Sequence, residues 1–347
     1  MEREKEVILV TGCAGRIGFK TMERFCKSYR VVGFDVIPPK PLPNCTFIHV
    51  DIASDESVKD GLRQVKERYG ERITSVIHLA AYYSFTGGGW ENYEKITVRG
   101  TERLLLGLKD FQLDQFIFSS TMLVHAPCEV GERISEKSLV EPKWDYPLSK
   151  VKTEEMIHKL RGNTSTVILR IAGVYDDLCH SIPISNQIQR IYEKQLEARV
   201  FPGDITHGAS YIHMDDLIDA LSKAVEKRQE LAPEEVFLIG EPETLSMDDL
   251  QRLISRLLFG KEIKTWRIPK IVAKVGAWVQ DHLPFFKKSF IKPWMIDLAD
   301  DNYTLDISHA EKVLQWEPRY RLRTVLPKMI EDLKRDPKAW YRENKLS

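Results

Sequence analysis

The 347-residue chain carries 51 basic and 51 acidic side chains, so its overall charge gives no reason to expect a nucleic acid partner. The chain is longer than one hydrophobic core usually accommodates, which favours one large α/β domain with a smaller lobe. Five cysteines without a C-x-x-C pair disfavour a disulfide framework and a zinc site, so we expect no metal and a reducing, cytoplasmic location.

Short apolar strands alternate with longer helical segments in the first half of the chain. The charged N-terminus leads directly into the first strand, which predicts no signal peptide, and no apolar run reaches the length of a membrane span. The predicted strands are Val7 to Thr11, Val31 to Asp35, Thr46 to Val50, Ser75 to Leu79, Phe116 to Ser120, Val167 to Arg170 and Val236 to Ile239. The predicted helices are 16–28, 55–68, 90–109 and 145–160. This alternation indicates βαβ units and a Rossmann-type, doubly wound parallel sheet.

The pattern changes after Tyr175. Residues 176–209 and 241–347 are richer in proline, tryptophan and helical periodicity, whereas about 210–240 contains another helix and strand. We therefore predict a Rossmann domain made of residues 1–175 plus about 210–240. The rest is predicted to form a smaller, discontinuous α/β lobe that binds the substrate.

A glycine-rich turn follows the first predicted strand. Gly12, Gly15 and Gly18 stand where this strand leads into a helix whose free N–H groups favour a pyrophosphate. Asp35 ends the second strand, where a carboxylate binds a ribose 2′-hydroxyl and repels a 2′-phosphate. Arg16 is a counter-argument, since a guanidinium in the loop can also contact phosphate. The pattern predicts NAD as the cofactor in preference to NADP.

Tyr146 and Lys150 lie four residues apart in a predicted helix, so their side chains project from one face. An ammonium in this position can lower the pKa of the phenol and hold a cofactor hydroxyl, which makes the pair a proton-transfer device. Tyr341 and Lys345 have the same spacing near a polar C-terminus, where no strand precedes them, and we expect no catalysis there. His78 is expected to be a core histidine bonded to backbone.

These motifs together resemble the extended short-chain dehydrogenase/reductase family, often called NAD-dependent epimerases/dehydratases. Later segments agree with the family's C-terminal signature, namely Ser210 to Leu217, Leu245 to Leu250 and Asp306 to Pro318. The resemblance implies an enzyme in which Tyr146 is the acid/base, Lys150 binds the nicotinamide ribose and Thr121 hydrogen-bonds the reacting oxygen. It also implies a homodimer formed through helices 90–109 and 145–160.

The resemblance further implies a set of cofactor contacts at the ends of the predicted strands. These residues are Gly12, Gly15, Arg16, Ile17, Gly18, Asp35, Asp51, Ile52, Leu79, Ala80, Ala81, Thr97, Ser119, Tyr146, Lys150 and Ile171. Thr97 departs from the family, which usually has Asn at this position. A hydroxyl there can replace a structural or a water-relay role of the amide, and the sequence does not decide between the two.

Other departures bear on the substrate. Met122 and Leu123 follow Thr121, where similar sugar-nucleotide dehydratases carry an Asp-Glu pair. Gly173 and Ala209 stand where sugar-nucleotide epimerases typically place Asn and Arg against the diphosphate. Each charge-assisted hydrogen bond from such side chains to the diphosphate is expected to contribute about 1.5–3 kcal/mol to substrate binding, and Gly173 and Ala209 cannot form these bonds.

We therefore predict an apolar secondary alcohol or ketone as the small-molecule substrate, sterol-like or polyketide-like. The run from Leu169 to Tyr175 resembles that of the steroid, sterol and flavonol branch of the family. The predicted substrate contacts are Tyr83, Trp90, Met122 and Gly173. One alternative is a nucleotide-sugar 4-epimerase with tightly bound NAD, and another is an NAD-binding redox-sensing regulator without turnover.

Two segments have more than one interpretation. The sequence Gly87-Gly88-Gly89-Trp90 is either a substrate-closing loop or an ordinary flexible connection. Residues 266–296 interleave aromatic side chains with lysines. This segment either packs as a lid over an apolar pocket or contacts a membrane surface peripherally.

Overall fold

The structure is a computed structural model, and it describes residues 6–84, 89–282 and 293–346. The strands are β1 (Val7–Thr11), β2 (Arg30–Asp35), β3 (Cys45–His49), β4 (Arg72–His78), β5 (Gln112–Thr121), β6 (Ser165–Ile171), β7 (Gly173–Tyr175), β8 (Val200–Pro202), β9 (Tyr211–His213), β10 (Glu234–Ile239) and β11 (Trp266–Ile268). The α-helices are α1 (Arg16–Phe25), α2 (Asp55–Tyr69), α3 (Trp90–Asn92), α4 (Arg99–Gly107), α5 (Asp145–Leu160), α6 (Ile182–Tyr192), α7 (Met214–Glu226), α8 (Met247–Phe259), α9 (Lys270–His282), α10 (Pro293–Asp297), α11 (Ser308–Leu314), α12 (Leu322–Arg335) and α13 (Pro337–Glu343).

Seven parallel strands form the central sheet in the order β10-β6-β5-β4-β1-β2-β3, which confirms the predicted doubly wound fold. The chain runs outward from β1 to β3 and then crosses to β4, so the strand order reverses between β1 and β4. Ligands of open α/β sheets bind outside the carboxyl ends of the strands at this reversal. All five residues of β1 are buried, as expected for a strand covered on both faces.

Helices cover both faces of the sheet. On one face, side chains of α1 and α7 share a core with residues 303–316. On the other, side chains of α2, α4 and α5 form a second core. Residues 303–316 fall in the range that the sequence analysis assigned to the smaller lobe, yet their side chains pack against the sheet.

A third core joins α6, α8 and α12 beyond the carboxyl edge of β6. Two short parallel pairs, β7 with β9 and β8 with β11, accompany it. None of these four short strands was predicted from sequence, because three residues are too few to show a period of two. Within the described ranges, every helix is too short or too polar to cross a bilayer.

The predicted helix 90–109 is interrupted. The six residues Tyr93–Val98 between α3 and α4 adopt a π-helix, a form that often occurs at functional sites. Within it, the hydroxyl of Thr97 accepts a hydrogen bond from the backbone N–H of Tyr82 at 3.0 Å. Thr97 therefore has a structural role, since it fixes the segment that follows β4.

Candidate active site

The glycine loop packs tightly against the end of β4. Gly12 has a φ of +71°, and a Cβ atom there would lie 2.9 Å from the backbone nitrogen of Ala80. A Cβ atom on Gly18 would lie 2.1 Å from the carbonyl oxygen of Gly12. Gly15 caps α1 without a side-chain hydrogen bond, so the N–H groups of the first turn are available to an anion. This cradle fits the pyrophosphate of a dinucleotide.

Asp35 is held beside this loop by backbone amides. Its Oδ2 accepts a hydrogen bond from the N–H of Ala14 at 2.9 Å, and its Oδ1 accepts from Val36 at 2.8 Å and Ile37 at 3.3 Å. The carboxylate is thus positioned at the end of β2 with capacity for a further donor such as a ribose hydroxyl. Arg16 donates from Nη2 to the carbonyl of Glu343 at 3.0 Å, so its guanidinium is engaged by the C-terminal helix.

The other predicted cofactor residues follow the carboxyl ends of neighbouring strands. Ile17 lies in the first turn of α1. Beyond the ends of β3 and β4 come Asp51, Ile52, Leu79, Ala80 and Ala81, and within the last residues of β5 and β6 lie Ser119 and Ile171. The sheet therefore brings these residues to the edge where the strand order reverses.

His78 is buried between two threonine hydroxyls rather than against backbone, which corrects the expectation from sequence. Its Nδ1 lies 2.7 Å from Thr11 Oγ1, and its Nε2 lies 2.8 Å from Thr101 Oγ1. Because Thr101 donates to the carbonyl of Thr97 at 2.6 Å, its oxygen accepts from Nε2–H. Burial, reinforced by the charge of Lys150, lowers the pKa of His78 to about 3, so the ring is neutral.

Tyr146, Lys150 and Thr121 converge where α5 begins beside the end of β5. Helix α5 starts at Asp145, as predicted, so Tyr146 lies in its first turn and Lys150 one turn later. The Nζ of Lys150 donates to the carbonyl of Ser119 at 2.7 Å and lies 5.8 Å from the centre of the Tyr146 ring. The phenol of Tyr146 is close enough to the side chain of Thr121 for that side chain to lower the pKa of the phenol. These are the residues that a proton transfer at a substrate oxygen requires.

The pKa of Tyr146 shifts in the direction opposite to the one expected from sequence. Burial of the phenol is the main cause that raises its pKa, the neighbouring Tyr83 adds to it, and the side chain of Thr121 opposes it. Burial also lowers the pKa of Lys150 from 10.5 to about 7, against the opposing charge of Glu154. In the protein alone, Lys150 is therefore only partly charged near neutral pH and has little influence on the phenol.

The low pKa of Lys150 predicts how the free energy of unfolding depends on pH. Between about pH 7 and 10.5, the unfolded chain holds a proton on residue 150 that the folded protein has released. The unfolded state binds more protons there, so the free energy of unfolding rises with pH across this window. A Lys150→Met variant should lose this rise, which amounts to at most about 5 kcal/mol.

Urea denaturation without cofactor at several pH values measures this effect. Lys159→Met is the matched control, since this exposed lysine lies on the same helix. The control is expected to keep the pH dependence of the parent. Equal slopes for the parent and Lys150→Met would show that Lys150 does not titrate in this range.

Aromatic rings surround the reactive phenol. The ring of Tyr146 lies 4.9 Å from Tyr83, 5.4 Å from Trp144 and 6.4 Å from Tyr93. Trp294, from α10 in the C-terminal part of the chain, lies 5.3 Å from Trp144. We call Tyr83, Tyr93, Trp144 and Trp294 the aromatic wall. Only Tyr83 was predicted to contact the substrate, although Trp144 stands two residues before Tyr146. Trp294 belongs to the segment 266–296, which was predicted either as a lid over an apolar pocket or as a membrane contact.

The other predicted substrate residues lie elsewhere. Met122 is buried in the core shared with α1 and α7, and Trp90 packs beneath the ammonium of Lys152 at 4.3 Å. A Cβ atom at Gly173 would lie 2.8 Å from Cδ1 of Tyr211, so this ring fills the space beside residue 173. Gly87 and Gly88 of the proposed closing loop lie outside the described residues.

A buried ion pair supports the helix that carries Tyr146 and Lys150. Glu154, one turn after Lys150, accepts from Nη2 of Arg170 at 2.7 Å and from the hydroxyl of Ser120. Arg170 also donates from Nη1 to Nε2 of His125 at 3.0 Å. Glu154 was not predicted from sequence, although its spacing of four from Lys150 places it on the same helical face.

Comparison with known proteins identifies the relatives of this chain. A model of the NAD dependent epimerase/dehydratase family matches residues 8–240. A UDP-glucuronate 4-epimerase of Thermodesulfobacterium geofontis is 27% identical over 97% of this chain and 96% of its own length. A decarboxylating sterol-4-alpha-carboxylate 3-dehydrogenase of Candida albicans is 24% identical over 50% of this chain and 52% of its own length.

Among solved structures, the UDP-glucuronic acid 4-epimerase of Bacillus cereus in complex with UDP-glucuronic acid and NAD is 25% identical. It covers 95% of this chain and 99% of its own, with a TM-score of 0.69. The UDP-glucose 4-epimerase of Thermotoga maritima has a TM-score of 0.70 at 22% identity over 96% of this chain and its own full length, and it supports the fold alone.

Proposed function

The chain belongs to the NAD dependent epimerase/dehydratase family, and we propose that it catalyses hydride transfer between a secondary hydroxyl carbon and NAD. The observation that carries this proposal is the convergence of Tyr146, Lys150 and Thr121 at the edge where the glycine loop opens. A regulator without turnover needs the loop but not this set of side chains.

Each side chain has a definite task in this proposal. Tyr146 accepts the proton of the substrate hydroxyl, while Thr121 orients the oxygen. Because burial keeps the phenol protonated in the protein alone, the positive charge of a bound nicotinamide would be needed to favour the phenolate. Lys150 holds a ribose hydroxyl of the cofactor, Asp35 binds the other ribose and the glycine loop holds the pyrophosphate. NAD bound in this site supplies the hydride acceptor.

We propose a nucleotide sugar as the first candidate substrate, epimerised at C4. This proposal is supported by the UDP-glucuronate 4-epimerase that matches the chain over nearly its whole length. Epimerisation returns the hydride to the opposite face, so the ketone must turn in the pocket before reduction. The aromatic wall suits this step, because ring faces attract a sugar through non-directional contacts.

An apolar alcohol is the second candidate, and it is favoured by a different observation. The ring of Tyr211 fills the space beside Gly173, where sugar-nucleotide epimerases of this family carry Asn, and Ala209 offers no charge to a diphosphate. The partial match to a sterol-4-alpha-carboxylate 3-dehydrogenase agrees with this interpretation. In this case reduced NAD accumulates, since the hydride is not returned.

One pair of assays separates the candidates. The purified protein is incubated with NAD and UDP-glucuronate or UDP-glucose, and proton NMR follows the 4-epimer. A parallel reaction with sterols and other apolar secondary alcohols follows the absorbance of reduced nicotinamide. A 4-epimer without accumulation of reduced NAD supports the first candidate, and the reverse result supports the second. Tight NAD binding without turnover of any substrate would refute both.

We also propose a homodimer formed through α4 and α5, as the family resemblance implies. On α4 the side chain of Leu106 is exposed, which provides apolar area for such a contact. Sedimentation velocity of the parent and a Leu106→Glu variant tests this arrangement. A monomeric parent, or a dimer unaffected by the substitution, would contradict it.

A further inference from the structure

Helix α9 exposes its apolar side chains to solvent and turns its lysines toward the protein. Its apolar side chains Ile271, Val272 and Val275 are 72%, 55% and 59% exposed. In a helix of a globular protein such residues normally face the core and the charged residues face water. Here the apolar stripe faces outward, and no packing within the described part of the chain explains it.

The lysines of α9 face the protein instead. Lys270 donates from Nζ to the carbonyl of Asp297 at 2.7 Å and forms an ion pair with Asp300. Lys274 lies one turn later and pairs with Asp297 at 2.5 Å. Residues 270 and 274 share one side of the helix, whereas 271, 272 and 275 lie about 100–200° around the axis from residue 270. The ion pairs therefore fix the orientation in which the apolar stripe is exposed.

The exposed apolar surface continues onto the strands before α9. Trp266 of β11 is 60% exposed and stands in register with Val200 of β8, whose side chain is also exposed. The ammonium of Lys264 lies 4.6 Å from the centre of the Trp266 ring. Only Pro269 separates β11 from α9. We call Val200, Trp266, Ile271, Val272 and Val275 the apolar patch.

We propose that the apolar patch docks onto the surface of an anionic lipid bilayer. A tryptophan flanked by lysine is typical of the boundary between water and acyl chains. An amphipathic helix lies in this boundary with its apolar face down, and nearby cations are attracted to anionic headgroups.

Lipid binding does not depend on which substrate the enzyme uses. The aromatic wall and the apolar patch share no residue, so a protein that fails every substrate assay can still bind vesicles. Peripheral docking also agrees with the short α9, because an interfacial helix need not span the bilayer.

Vesicle co-sedimentation of the full chain tests the proposal. Vesicles of phosphatidylcholine alone are compared with vesicles that also contain phosphatidylserine. We expect binding to the anionic vesicles and little to the neutral ones. The double variant Ile271→Glu/Val275→Glu should reduce the fraction bound to vesicles roughly tenfold, because it places two charges on the face of α9 that would enter the bilayer surface.

Leu139→Glu is the matched control, since Leu139 is 65% exposed in a loop of the sheet domain. It should bind anionic vesicles as the parent does, and circular dichroism confirms that all variants fold. Absence of sedimentation, equal binding to both vesicle types, or unchanged binding of the double variant would overturn the proposal. A loss of self-association in the double variant, without any vesicle binding by the parent, would identify a second copy of the chain as the occupant.

Discussion

The Tyr146→Phe variant is expected to lose about 10²–10⁴-fold in kcat, the usual contribution of a positioned general acid or base. The phenyl ring keeps the contacts with Tyr83 and Trp144 but cannot accept the substrate proton. Binding of NAD should change little, because the glycine loop and Asp35 are untouched. Steady-state kinetics with the substrate found above, together with calorimetric titration of NAD, measure both effects.

Tyr341→Phe is the internal control, because Tyr341 also precedes a lysine by four residues. Its hydroxyl donates to Oε1 of Glu193 at 2.6 Å on the surface. Helix α13 ends at Glu343, so Lys345 is not on the same helix as Tyr341. We expect this variant to retain full activity. If Tyr146→Phe is as active as the parent, or if both variants are equally impaired, residue 146 is not the proton acceptor.

The strands and helices around the glycine loop could be predicted because residues close together in the sequence determine them. The strand β1 and the helix α5 have the predicted bounds, and the other sheet strands are longer or shifted by a few residues. Gly12 and Gly18 mark the loop in the sequence because close backbone contacts exclude any Cβ atom there. Periodicity and glycine placement therefore specify the sheet edge at which the site lies.

The contents of the site depend on contacts between distant residues, which periodicity does not reveal. Trp294 reaches Trp144 from a segment 150 residues further along the chain. The pKa of Tyr146 follows from its burial by Tyr83 and other neighbours, whereas the four-residue spacing to Lys150 predicts only that the two share a helical face. The threonine partners of His78 likewise come from β1 and α4.

The Arg170→Met variant is expected to lower the free energy of unfolding by about 3–5 kcal/mol, as is typical when one partner of a buried ion pair is removed. The carboxylate of Glu154 would remain buried with only the hydroxyl of Ser120 as a partner. In the parent, burial first and the charge of Arg170 second lower the pKa of His125 to about 4. The burial remains in the variant, so a charge on His125 would itself be costly and does not replace the guanidinium. Urea denaturation of the parent and variant measures the loss.

A double-mutant cycle with Glu154→Gln determines how much of this loss comes from the unpaired carboxylate. The amide carries no charge, so Arg170→Met/Glu154→Gln should be more stable than Arg170→Met alone. Arg323→Met removes an exposed pair with Glu243 at 2.8 Å and should lower stability by less than about 1 kcal/mol. If Arg170→Met is no more destabilising than this control, the buried pair does not hold α5 against the sheet. If Arg170→Met is more destabilising than the control, the pair of Arg170 and Glu154 supports the helix that presents Tyr146. The same pair also places the negative charge of Glu154 one turn from Lys150, where that charge raises the pKa of the ammonium.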